Sequence, residues 1–243
     1  MAGYFEKEWT LNFTQCYANG QLKYSELNNI LQITASEHAV ILGFGARTML
    51  KHKQSWVLSR MLIQIKRLPR FEQTLTIRTW IQDFSGSRST RNFEVILGEH
   101  VVATASSLWA VFNVEARKAE ALAVSTEHAV ILPDMHSTPR PVQRIDGLCD
   151  FQKLKDYQVV LSDLDIAGHA NNVKYMDWCF DALDPKYVLS QQITEIEMNF
   201  LRELTYGNQV SIHKGVGAHG SDTYNISRNE KIHFLMHVAN KQA

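Results

Sequence analysis

Apolar and polar positions follow two rhythms along this chain. Residues 4–17 read as an extended segment closed by Tyr17-Ala-Asn-Gly20, a turn signal. Beyond Ser25, a residue type that caps helices, Leu27, Ile30, Leu31, Thr34, His38 and Ile41 recur at helical spacing. Gly43 then stands where a helix-terminating glycine belongs. The pattern predicts a helix of about five turns, apolar enough to be enclosed. A polar bridge, Lys51-His-Lys-Gln54, leads into alternating runs that predict four strands: Trp56 to Lys66, Thr74 to Ile81, Asn92 to Leu97 and Val101 to Asn113.

From about Pro133 to Gly147 the periodicity stops. Pro133, Pro139 and Pro141 with His136, Ser137 and Thr138 predict a linker. The first pattern then recurs: a strand near 155–161, a polar loop, a helix over 171–183 ended by Asp184-Pro185, and strands near 192–204, 208–217, 221–228 and 231–239. Ile63-x-Ile65-x-Arg67-x-x-x-Phe71 with Leu75-Thr-Ile77 has an ungapped counterpart 135 positions later, in Met198-x-Phe200-x-Arg202-x-x-x-Tyr206 with Val210-Ser-Ile212. Residue class is kept at each matched position, which indicates an internal duplication. A literal repeat of Glu-His-Ala-Val-Ile-Leu at 37–42 and 127–132 carries no weight, because one copy lies in the helix and the other beside the linker. The expected architecture is α+β, each half an antiparallel sheet wrapped around its apolar helix. The boundaries expected are 1–132 and 151–243, with 133–150 between them.

Composition narrows the classes. With 45% hydrophobic and 21% charged residues the chain can build a real core. Twenty-five basic and 25 acidic residues give no net charge, against a nucleic-acid partner. Cys16, Cys149 and Cys179 are odd in number and form no CxxC, which favours a reducing compartment over a disulfide frame. No apolar run reaches the length of about 18 residues that a membrane span needs. The amino terminus has the features of neither a signal nor a transit peptide, so a cytoplasmic protein is expected.

Candidate chemistry is concentrated in Ser162-Asp-Leu-Asp-Ile-Ala-Gly-His-Ala-Asn-Asn-Val-Lys-Tyr-Met-Asp-Trp178. Carboxylates, a histidine and two asparagines precede a helix whose first-turn N–H groups and dipole favour developing negative charge. Taken singly, Asp163, Asp165, Asn171 and Asn172 read as loop and cap residues. A metal site from Asp163, Asp165, His169 and Asp177 is disfavoured, because the spacing matches no helical ligand set.

Leu164-Asp165-x-x-x-His169-x-Asn171-Asn172-x-x-Tyr175-x-x-Trp178 resembles the signature of acyl-acyl-carrier-protein (acyl-ACP) thioesterases. Trp56-Val-x-x-Arg60-Met61-x-Ile-x-Ile-x-Arg67-x-Pro69, continuing to Thr79-Trp80, and Phe200-Leu-Arg202-Glu203 resemble two further segments of that family. The similarity runs from about Tyr4 to the C-terminus. It implies a tandem double hotdog fold and hydrolysis of fatty acyl-ACP. Asp165, His169, Asn171 and Glu203 would be the catalytic groups, with no cofactor and no metal. Two positions depart from the family pattern. Ala167 replaces the signature's first asparagine, and Leu204 follows the glutamate where plant members carry cysteine, so a thiol nucleophile has no candidate there.

The resemblance also implies substrate contacts. Asn172, Tyr175 and Trp178 would lie near the reacting group, and Leu27, Leu31, Trp56 and Met61 of the first half would shape the acyl pocket. The first half's corresponding turn, Tyr17 to Tyr24, carries neither carboxylate nor histidine. The expected partner is an acidic acyl carrier protein, for which Arg88, Arg91, Lys51 and Lys53 are docking candidates; a homodimer is left open. Two alternatives remain at this stage: an acyl-CoA thioesterase, and a non-catalytic acyl-binding module motivated by Ala167.

Overall fold

Residues 3–147, 149–216 and 221–241 are described by the computed structural model, and the chain divides into two units, residues 1–142 and 143–243. In the first unit β1 (Tyr4–Thr10) leads through a 3-10 turn at Phe13–Gln15 into α1 (Tyr24–Ile41) and α2 (Ala46–Lys51). β2 (Gln54–Ile65), β3 (Thr74–Ser85), β4 (Arg88–Leu97), β5 (His100–Asn113) and the short β6 (Lys118–Ala119) follow. All pairings are antiparallel, in the spatial order β1-β3-β4-β5-β2, with β6 on β5. The second unit holds β7 (Gln152–Gln158), a 3-10 turn at Leu161–Asp163, α3 (Asn172–Phe180), α4 (Pro185–Val188), β8 (Ile193–Phe200), β9 (Gln209–Val216), β10 (Asp222–Arg228) and β11 (Lys231–Asn240). Its antiparallel order, β7-β9-β10-β11-β8, repeats that of the first unit strand for strand.

α1 is enclosed because its apolar side chains occupy more than one stripe. Tyr24, Leu27, Ile30, Leu31, Ala35 and Ala39 are buried along it. The polar side chains that share this burial are bonded locally. Thr34 Oγ1 donates to the Ile30 carbonyl (2.7 Å) and accepts from Trp9 Nε1 (3.1 Å), and Gln32 Nε2 donates to Asn28 Oδ1 (3.0 Å). Gly43 adopts φ +83°, the left-handed conformation that ends a helix.

Several local expectations are corrected. α1 begins at Tyr24 with Lys23 as a cap lacking a side-chain bond, and Ser25 is buried inside the helix. The extended segment stops at Thr10, and Asn12 caps the 3-10 turn that follows through Thr14 N (3.0 Å). α3 ends at Phe180, so Pro185 does not stop it. Asp184 caps a new turn through Lys186 N (2.9 Å), with Pro185 at the first helical position, where its missing N–H costs nothing. The bridge before β2 contains α2, held by the fully buried Met49. Residue 217, expected at the end of a strand, lies outside the described residues.

The proline-bearing segment has no regular structure, yet it is tied down. Asn92 Oδ1 accepts from Ser106 Oγ (2.5 Å) and Ser137 Oγ (2.9 Å), Ser106 bonds Thr138 (2.7 Å), and Trp80 Nε1 donates to the Met135 carbonyl (2.8 Å). Past residue 142 the attachments pass to β8. Glu197 Oε1 accepts from Gln143 N (2.6 Å) and Asn199 Oδ1 from Ile145 N (2.9 Å). The division between units falls at this handover.

Candidate active site

Asp163 organises the loop ahead of α3. It is buried, and its Oδ2 accepts from the Tyr157 hydroxyl (2.9 Å) and Val160 N (2.8 Å), while its own carbonyl accepts from Asn171 N (2.8 Å). Burial first, then Asp163, pushes the Tyr157 phenol up to about 12. Asp163, a cap residue on the sequence reading, is the anchor of the loop.

The loop then closes on itself. Asp165 N donates to the His169 carbonyl (2.8 Å), and Asp165 Oδ1 accepts from Ala167 N (2.8 Å) and His169 N (3.2 Å). Gly168 at φ +77° makes the turn. Asp165 therefore holds the backbone at His169; the bond to the imidazole that would fix its tautomer is not formed.

His169 is carried to its partner by strand-like pairing. His169 forms an antiparallel bridge with Thr205, and Ala170 N donates to the Leu204 carbonyl (2.8 Å). His169 Nε2 then stands 3.5 Å from Glu203 Oε2, with both side chains about one-third exposed (32% and 35%). Arg202 Nη1 donates to the Ile232 carbonyl. Behind Glu203, the buried His233 donates from Nδ1 to the Glu203 carbonyl (3.2 Å), and its own carbonyl accepts from Leu201 N and Arg202 N. Burial lowers the pKa of His233. Sequence reasoning passed over His233, because its partner is 30 positions away and no spacing marks it.

The other expected residues separate. Asn171 Oδ1 caps α3 through Val173 N (3.1 Å), and half-buried Asn172 is the first helical residue. Tyr175 and Trp178 are buried in an aromatic stack, with ring centres 5.2 Å apart; Trp178 packs on Tyr157 (4.8 Å) and Tyr175 on Phe234 (5.3 Å). Burial raises the Tyr175 pKa, and the charges of Glu203 and Asp165 add to it.

In the first unit a cavity of about 190 Å³ lies between α1 and the sheet. Trp56 lines it. Leu27, Leu31 and Met61 are fully buried in the core and do not. Of the docking candidates, Lys51, Lys53 and Arg88 are exposed, Lys53 in an ion pair with Glu115 (2.7 Å). Arg91 is a correction. It is 5% exposed and hydrogen-bonds His38 Nδ1 (2.9 Å) and Thr79 Oγ1 (3.3 Å), so it presents no docking surface. Its position in the alternation of β4 sends it inward.

Comparison with known proteins settles the family. The model of the acyl-ACP thioesterase N-terminal domain matches residues 3–128, and that of the C-terminal domain residues 149–242. The chain belongs to the acyl-ACP thioesterase family. Among curated acyl-ACP thioesterases it is similar to the chloroplastic oleoyl-acyl carrier protein thioesterase of Coriandrum sativum, 28% identical over 218 residues covering 81% of this chain and 59% of that protein. It is also similar to the chloroplastic palmitoyl-acyl carrier protein thioesterase of Cuphea hookeriana, at 25% identity covering 82% of this chain and 51% of that protein. The chain thus spans between half and two thirds of the length of these relatives. Its fold is shared with an acyl-ACP thioesterase from Bacteroides thetaiotaomicron (TM-score 0.90, 23% identity, 98% of this chain and 97% of that one). The 12:0-ACP thioesterase from Umbellularia californica shares it too (TM-score 0.81, 19% identity, 98% and 97%). Each unit is accordingly a hotdog fold.

Proposed function

We propose that this acyl-ACP thioesterase family member hydrolyses the thioester of fatty acyl-ACP, releasing a free fatty acid and the carrier's thiol and so ending chain elongation. The observation that carries the reading is the approach of His169 Nε2 to Glu203 Oε2, two titratable groups brought from a loop and a strand end into one partly exposed place. Glu203 takes a proton from water as the water oxygen forms a bond to the thioester carbonyl carbon. The tetrahedral oxyanion then collapses, the carbon–sulfur bond breaks, and the proton passes to the leaving thiolate. His169 orients the carboxylate and the water. Asp165 positions His169 through its backbone N–H rather than its ring, and Asn171 fixes the start of α3. Exposed apolar side chains at Leu161, Ile166 and Tyr206 surround this place and offer a rim for the carrier's arm.

Ala167 leaves this scheme intact, because its backbone N–H, not a side chain, is what Asp165 uses. Thiol release from acyl-ACP tests the reading. Glu203→Gln and His169→Ala are each expected to lower kcat by about 10²–10⁴, the range of general acid–base groups. Asp165→Asn, which keeps an acceptor oxygen, is expected to lose much less than Asp165→Ala. Wild-type release no faster than that of the Glu203→Gln variant would remove the enzymatic reading.

A further inference from the structure

The cavity of the first unit holds a charge that nothing in the unit neutralises. Its walls are largely aromatic and aliphatic, with Phe44, Trp56, Phe84, Trp109 and Ala35 among them, and Arg91 also lines it. Among the described residues, the printed bonds of Arg91 all run through Nη1, to His38 Nδ1 and Thr79 Oγ1, both neutral partners. A guanidinium only donates, so His38 Nδ1 is the acceptor and the ring is the neutral tautomer with its proton on Nε2. Phe5 stacks on that ring at 5.5 Å. No carboxylate acts on Arg91 among the described residues, and burial alone moves its pKa, to about 9. The group is still a cation near neutrality. A cation so placed, with Nη2 and Nε uncommitted, is costly unless an anion completes it.

We propose that this cavity is a binding site for the carboxylate end of a short aliphatic acid, its two oxygens on the Arg91 fork and its hydrocarbon between Trp56, Trp109, Phe44 and Phe84. The fork geometry of guanidinium matches a carboxylate bidentately and matches a hydroxyl poorly. The volume also fits. An engineered apolar cavity of ~150 Å³ in another protein takes up benzene, with six heavy atoms, so about 190 Å³ suits the eight of hexanoate. A carboxylic acid is also what thioester hydrolysis releases. That the site would hold product rests on the proposed reaction; that it binds a carboxylate does not.

The experiment is calorimetric titration of the whole protein with sodium hexanoate, 1-hexanol and hexanamide, with Trp56 and Trp109 as fluorescence reporters in parallel. Hexanoate is expected to bind about tenfold or more tightly than the two neutral analogues, as a charge-assisted pair requires. Arg91→Met, an apolar replacement of similar length, is expected to abolish that preference while keeping hexanol binding. Ala35→Leu, which fills the cavity from α1, is expected to abolish binding of all three. Equal affinity of the wild type for hexanoate and hexanol would overturn the proposal, and that measurement needs no variant to fold. Hexanoate binding that persists unchanged in both variants would place the ligand elsewhere and overturn it as well. Thiol release by the same preparations, assayed separately, reports on the catalytic reading alone.

Discussion

Burial governs how His38 titrates. Desolvation first, then the neighbouring Arg91 charge, lowers its pKa from 6.5 to about 4. Between those two pH values the unfolded chain binds the proton that the folded chain refuses, so stability rises with pH across the window and is lost as pH falls through it. A shift of that size corresponds to about 3 kcal/mol. Urea midpoints are therefore expected to fall steadily from pH 6.5 to pH 4, and His38→Gln, which keeps an acceptor for Arg91, is expected to flatten part of that slope. The buried His233 shifts in the same direction and supplies another part. A slope in His38→Gln identical to that of the wild type would refute the assignment. Neither His38 nor Arg91 declares itself in the sequence: the histidine sits among helical repeat positions and the arginine in a turn-like Ser-Gly-Ser-Arg run. Asp165 and His169 were legible because their loop is local. The approach of Glu203 to His169 was not, because a bridge between residues 169 and 205 creates it.

Among the elements, the strands were legible where one face is buried and side chains alternate, as along β3 and β11. Short helices were not, since α2 and α4 contain too few turns to show a period. The segment around 133–142 read as a linker for the same reason: its order comes from side-chain bonds to Asn92 and to the main chain of β5, not from any repeat. Ser137 Oγ, for example, donates to the Ala105 carbonyl (2.7 Å). Asn92 is fully buried, and its Nδ2 also donates to Gln82 Oε1 (2.7 Å). Asn92→Ala strands Ser106 and Gln82 at once, which predicts a loss of about 2–3 kcal/mol in chemical denaturation. Cleavage after Arg140 or Arg144 by trypsin under native conditions is expected to speed up in parallel. A variant that loses the stability but is cut no faster would show that Asn92 holds the sheet and leaves the segment to other contacts.

At the scale of the whole molecule, duplication preserved the backbone and let the chemistry diverge. The loop before α1 repeats 148 positions later, with bridges Cys16–Leu22 and Leu164–Ala170 in matching places. The strands repeat at 135, and half of a turn-rich helix accounts for much of the difference, since α1 has 18 residues and α3 has 9. Tyr17 N donates to the Gln21 carbonyl (2.7 Å) as Asp165 N does to that of His169, and Gly20 at φ +79° matches Gly168. The side chains differ: Tyr17 stands for Asp165, buried Gln21 for His169, and buried Leu68 for Glu203. Asn19 Nδ2 donates to Gln21 Oε1 (2.7 Å), so this loop spends its polar groups on itself. Gln21→Ala is accordingly expected to cost about 1–3 kcal/mol of stability while leaving kcat for thiol release within about twofold, in contrast to the loss expected for His169→Ala. Adding Gln21→His to His169→Ala is expected to restore nothing, because the new imidazole would face Leu68 in place of a carboxylate. Recovery of hydrolysis in that double variant, or a folded Gln21→Ala protein as inactive as His169→Ala, would mean that the first loop takes part in the chemistry and that the division of labour between the units is wrong.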